Sequence, residues 1–159
     1  MPENNNIMSL EGQLVGMPLA GPESFSQQQL DYLKRALGVD ETVLWENASG
    51  AAPSSFPVTL SEVTTNFETI RFYFRPWSSN SCVVEKMGDQ TVFMLESNWV
   101  GSTPSSVPYS FLDILTASGT QLSFTRGTFN MWSQNTLTED TTQFRLFKVV
   151  GIHRIAGGN

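Results

Sequence analysis

The stretch Glu68-Thr-Ile-Arg-Phe-Tyr-Phe-Arg75 alternates apolar and polar side chains. In an extended chain successive side chains point to opposite faces. Ile70, Phe72 and Phe74 therefore share one face, and Thr69, Arg71, Tyr73 and Arg75 share the other. That is the pattern of a half-buried β-strand, and the same period of two recurs on both sides of it. Upstream, Thr42–Glu46 and Phe56–Leu60 read as strands. Downstream, Ser81–Met87 and Thr91–Ser97 read as a hairpin across Gly88-Asp89, and Phe111–Thr116 and Gln121–Thr125 as another across Ser118-Gly119. Thr128–Trp132 reads as a further short strand. Phe144–Ile155 closes the series, and its doubled apolar pair before glycine, Val149-Val150-Gly151, predicts a bulge. About eight short strands at this spacing predict a mainly β fold, an antiparallel β-sandwich or jelly roll, over residues 41–159.

The first 40 residues follow other rules. Residues 26–37 read as a helix. Ser26 and Gln29 stand at capping-box spacing, Phe25 and Leu30 at staple spacing, and Gly38 where a left-handed residue ends a helix. Leu30, Leu33 and Leu37 form a narrow seam of the kind that meets its own copies. So short a helix is marginal alone. The seam predicts a self-association segment within residues 24–40, with packing on the β domain as the plainer alternative. Residues 1–23 hold Gly16, Pro18, Gly21 and Pro22, which break regular structure, among the apolar Leu10, Leu14, Val15, Met17 and Leu19. They read as an extended docking arm.

Composition narrows the function. Charged residues make up 15% of the 159-residue chain, well below the usual quarter or so. Neutral polar residues replace them, which suits strands and surfaces that meet copies of themselves. The net charge of −6 repels phosphate backbones and argues against nucleic-acid partners. Arg145, Lys148 and Arg154 are too few for a nucleic-acid patch and read as a solvated strand face. No apolar run approaches the length of a membrane span, so no membrane insertion is expected. Met1–Asn6 carries no signal-peptide pattern, and the expectation is synthesis in a cytoplasm.

Searches for chemistry return little. Cys82 and His153 are each the sole residue of their type, so neither a disulfide nor a multi-histidine or cysteine metal site is expected, and no cofactor. There is no phosphate-cradling glycine loop and no nucleophile elbow. A glycosidase needs only two carboxylates, and Glu85, Glu96 and Asp113 all lie on predicted strands. Cross-strand pairing with Arg71 or Lys86 is the simpler reading of these acids. The expectation is a protein that is not an enzyme. Trp77, Trp99 and Trp132 fall in or beside loops, and Tyr73 and Tyr109 are expected at least half exposed. Such aromatics cap a core, anchor a subunit contact or stack on sugar rings.

Three blocks carry a resemblance. Glu41-Thr-Val-Leu-Trp-Glu-Asn-Ala-Ser49 resembles the opening strand of small β modules in phage and prophage tail-fibre and head-fibre proteins. Thr59–Phe74 is similar to their second block, and Val149-Val-Gly-Ile-His-Arg-Ile-Ala-Gly157 resembles their closing strand, although the order of elements differs. The resemblance spans roughly 41–157, with the middle much less alike. It implies a virion protein assembled in the host cytoplasm, commonly a homotrimer, acting as a fibre or decoration subunit and in some cases in adhesion to a host-surface glycan. Residues 1–22 would then dock on other virion proteins. The matched positions are core and turn residues, so the resemblance transfers no binding residues. The rival expectations are a monomeric carbohydrate-binding module and a small β-sandwich glycoside hydrolase.

Overall fold

The computed structural model describes residues 26–38, 40–76, 81–99, 109–131, 136–139 and 143–155. The chain divides into two compact units, Met1–Asp40 and Glu41–Asn159.

In the first unit a helix, α1, spans Gln27–Ala36. Its capping box is complete: the Gln29 amide donates to Ser26 Oγ at 3.3 Å, and the Ser26 amide donates to Gln29 Oε1 at 2.9 Å. Leu37 is the C-cap and lies one residue beyond the helix, and Gly38 follows with φ +67°. Lys34 and Arg35 occupy the last turn, where the helix dipole favours cations. Phe25, the expected staple, lies outside the described residues, as do residues 1–23.

The second unit is an antiparallel β-sandwich. Its strands are β1 (Glu41–Ala51), β2 (Val58–Thr59), β3 (Phe67–Arg75), β4 (Cys82–Met87), β5 (Val92–Trp99), β6 (Tyr109–Ser118), β7 (Gln121–Met131), β8 (Thr136–Glu139) and β9 (Arg145–Arg154). One sheet has the order β1-β9-β3-β4. The other has the order β2-β7-β6-β5, with β8 also paired to β7. Ile70, Phe72 and Phe74 are fully buried on the inner face, as the alternation predicts. They meet Phe93, Leu95, Leu115 and Leu122 from the other sheet. Phe72 and Phe93 pack ring to ring at 4.9 Å, and Phe124 and Phe144 at 5.0 Å. Each such side chain contributes about 1.5–3 kcal/mol by leaving water.

Five local expectations are corrected. Ser81–Met87 and Thr91–Ser97 are not a hairpin: β4 pairs with β3 and β5 with β6, so Gly88-Asp89 carries the chain from one sheet to the other. Gly88 fits there because a Cβ would lie 1.9 Å from the Phe67 carbonyl oxygen, while its amide donates to the Glu68 carbonyl at 2.9 Å. Thr128–Met131 is the end of one long strand, β7, in which Thr125 is the unpaired bulge residue between Arg126 and Phe124. The predicted bulge at Val149-Val150-Gly151 lies elsewhere. Leu44 is the extra residue opposite Val149 and Val150, and Phe147 is the extra residue in β9 itself. The segment Phe56–Leu60 yields only Val58–Thr59 as strand, since Pro57, after a cis bond to Phe56, has no N–H for a ladder. Finally, β1 continues past Glu46 to Ala51 through an irregular stretch at residues 47–50, where Gly50 has φ +75°.

The Gly119-Thr120 turn closes β6 and β7 with Ser118 opposite Gln121, and Gly119 supplies the positive φ of +58° that the turn requires.

Candidate functional site

The strand directions give the sandwich two distinct ends. β3 runs from Phe67 to Arg75, and β4 starts beside it at Cys82 opposite Phe74. β4 then crosses at Gly88 to β5, which runs back and ends at Trp99 opposite Tyr109. Tyr109 in turn pairs with Met131, and Met131 with Thr136. The strand ends flanking the β3–β4, β5–β6 and β7–β8 connections therefore share one end. Trp77 and Trp132 belong by sequence to two of those connections and lie outside the described residues. Trp99 and Tyr109 are neighbours in the ladder at that same end. Glu41, where the chain enters the sandwich, pairs with Ile152, and Ile152 with Thr69 near the start of β3. The entry point therefore lies at the opposite end.

Tyr73 lies within β3, two residues before its end at Arg75. It is half-buried on the outer face of the first sheet, among Arg71, Val83 and Lys148. Exposed apolar side chains share that face: Val43, Val83 and Met87.

The entry end is held by a charge cluster. Arg154 Nη1 and Nη2 donate to both Glu62 oxygens at 2.6 Å, while Asn66 Nδ2 donates to Glu62 at 3.2 Å. The Arg154 guanidinium also lies 4.8 Å over the Phe67 ring. Hydrogen bonding to Arg154 holds the Glu62 carboxyl below its ordinary range, against the opposing effect of partial burial. Lys148 pairs with Glu46 at 3.6 Å. Arg154 and Lys148 of β9 thus meet acids from other segments, while Arg145 Nη1 donates to the Phe144 carbonyl at 2.7 Å.

The three candidate carboxylates do not converge. Glu85 lies on the outer face of the first sheet and pairs with Arg71 at 2.7 Å, as cross-strand pairing predicts. Glu96 is exposed on the outer face of the second sheet, opposite Leu112. Asp113 is buried between the sheets at 4% exposure, which cross-strand pairing at a solvated face does not predict. Its parity gives the reason: Asp113 shares the inward face with Phe111 and Leu115. That signal was available in the sequence. The separation removes the geometry of a two-carboxylate glycosidase built from these acids.

Asp113 is near Cys82. The half-buried thiol packs on the edge of the core. Burial pushes its pKa up, and the Asp113 charge adds to this. A thiol so placed is protonated at neutral pH and is a poor nucleophile. His153 is half-buried in β9 with φ +54°. Among the described residues no three His, Cys, Asp or Glu side chains gather as a metal site.

In the first unit, Leu30 and Leu33 are half-buried, whereas Leu37 is 72% exposed. The seam thus ends on an apolar side chain open to solvent.

No protein-family model matches the chain, and no curated protein sequence matches it.

Proposed function

We propose that this chain is a non-enzymatic structural subunit of a phage virion, of the head-fibre, tail-fibre or decoration type. The single observation that carries the reading is the polarity of the sandwich. The chain enters at one end, and three connections, two of them carrying Trp77 and Trp132 and the third following Trp99, leave from the other. A subunit anchored through its N-terminal segment would hold that aromatic end away from the particle, where it could meet a host-surface glycan. Tryptophan and tyrosine suit that task, offering large rigid contact area with few torsions to freeze. The separation of Glu85, Glu96 and Asp113 favours a binding role over glycoside hydrolysis.

The same reading makes the subunit a homotrimer joined through Leu30, Leu33 and Leu37, with residues 1–22 docking on other virion proteins. Light scattering on the dilute purified chain, below the concentration at which further association sets in, should give three times the monomer mass, and Leu33→Asp should abolish it by burying an unpaired charge. Deleting residues 1–22 should leave the melting temperature of the sandwich unchanged and abolish incorporation into particles. A monomeric wild type that still binds glycan through Trp99 would instead identify a carbohydrate-binding module. Release of reducing sugar that is lost on changing Glu85, Glu96 or Asp113 would overturn the non-enzymatic reading.

A further inference from the structure

The strand edges of the sandwich are not equally protected. An open edge presents unpaired N–H and C=O groups and invites another strand, and proteins blunt it with bulges, charges, proline or shortness. β1 is broken by two register shifts. β2 is two residues long and β8 four. β4 carries the adjacent charges Glu85 and Lys86. β5 has none of these devices beyond Glu96. It is eight residues long, pairs with β6 without a register shift, and contains neither proline nor a basic residue. Among the described strands it pairs with β6 alone.

The register fixes which backbone groups face outward. The Ala117 amide donates to the Thr91 carbonyl at 2.8 Å, so Thr91 and Ala117 are a hydrogen-bonded pair. In an antiparallel ladder such pairs alternate. Phe93, Leu95 and Ser97 therefore turn their backbone groups toward β6, and Val92, Met94, Glu96 and Asn98 turn theirs away. The side chains of these four lie on the outer face, where Val92 is 45% and Met94 50% exposed.

We infer that β5 is a self-association edge that pairs antiparallel with β5 of a second copy about a two-fold axis. The outward set is self-complementary. Centred on Leu95, Met94 stands opposite Glu96 of the second copy and Val92 opposite Asn98, so every outward backbone group of the four is satisfied. This register also keeps the two Glu96 carboxylates from standing opposite each other, which a shift of one pair toward Asn98 would force. The contact is isologous and closes on itself, joining the two β5-containing sheets into one continuous sheet. It is separate from the leucine seam of α1 and holds whether or not the virion reading does.

Amide hydrogen exchange on the full-length wild-type chain, combined with light scattering, tests this. At high micromolar concentration the amides of Val92, Met94, Glu96 and Asn98 should exchange at least about tenfold more slowly than on dilution, as expected when a strand edge becomes covered. Met94→Glu places a carboxylate directly opposite Glu96 of the second copy, twice by symmetry, without removing a hydrogen bond to β6. It should return those four amides to fast exchange, leave Phe93, Leu95 and Ser97 protected, and halve the mass relative to wild type. Fast exchange at the four amides in concentrated wild type would overturn the inference. So would protection that persists in Met94→Glu, or a mass that Met94→Glu leaves unchanged.

Discussion

Arg71 on β3 and Glu41 on β1 form an ion pair across a strand that separates them. The Nη1–Oε1 distance is 2.5 Å, although β9 lies between the two strands. Arg71 stands beside Val150 in the ladder and Glu41 beside Ile152, so the side chain spans β9 at these residues. Val150 is on the outer face and yet only 1% exposed. Hydrogen bonds to Tyr73, Glu85 and Glu41 fix the guanidinium and raise its already high pKa further. Arg71 thus acts as a cover for an apolar strand as well as a charge. Arg71→Ala should lower stability by about 1–2 kcal/mol, mostly through lost packing. Glu41→Gln should cost about 0.5 kcal/mol or less, because that carboxylate is well exposed and screened. Urea denaturation of the two variants checks the ratio.

Gly88→Ala should be among the most damaging single substitutions in the sandwich. The new methyl would overlap the Phe67 carbonyl oxygen and approach the Thr64 carbonyl to 2.8 Å, and both are backbone atoms that cannot swing away. A loss of about 3 kcal/mol or more is expected. Gly119→Ala has open space around it and only its positive φ to oppose it, so it should cost about 1 kcal/mol. Thermal melts of the pair separate steric overlap from backbone strain.

The Glu62–Arg154 cluster sets a pH dependence. Its carboxyl has a lowered folded-state pKa, so the stabilisation is present above the unfolded-state value and is lost as pH falls through the folded one. Wild type should exceed Glu62→Gln by about 1 kcal/mol at neutral pH, with the gap closing below the ordinary glutamate range of about 4–5. Denaturation midpoints of the two proteins across that range test the sign.

Cys82 should resist thiol reagents. Burial and the Asp113 charge both disfavour the thiolate, so alkylation of the folded protein near pH 8 should be slower than that of the urea-unfolded chain. Asp113→Asn should accelerate the folded-state reaction, but by less than unfolding does, since burial is the larger cause. An equal rate in folded and unfolded protein would contradict the placement of the thiol.

The local periodicity of β3 was enough to assign its inner and outer faces, and Ser26, Gln29 and Gly38 were enough to bound α1. The β6–β7 hairpin was legible as a short connection between alternating strands, although its turn is Gly119-Thr120, one residue beyond the expected Ser118-Gly119, because Ser118 still pairs with Gln121. Gly88-Asp89 has the same local chemistry and a different outcome. What decides it is the carbonyl of Phe67, some twenty residues away, against which only glycine fits. The bulges at Leu44 and Phe147 depend likewise on which strands became neighbours of β9. Asp113 was legible by parity with Phe111 and Leu115, but the apolar Leu112 and Ile114 on the other parity hid which face was inward. The common end of the β3–β4, β5–β6 and β7–β8 connections follows from strand directions, which exist only once both sheets are assembled.

The first and last strands of the sandwich lie side by side, with Glu41 opposite Ile152. That adjacency gives the domain a mechanical direction. Tension applied between its two chain ends would peel β1 from β9 one hydrogen bond at a time, because both ends emerge from the same side. Tension between Glu41 and the far connections would instead run along the strands and load the whole β1–β9 ladder in shear, so that many bonds must fail together. Pulled between Glu41 and those connections the domain would therefore resist along its stiff axis, and pulled between Glu41 and Arg154 it would open like a zip.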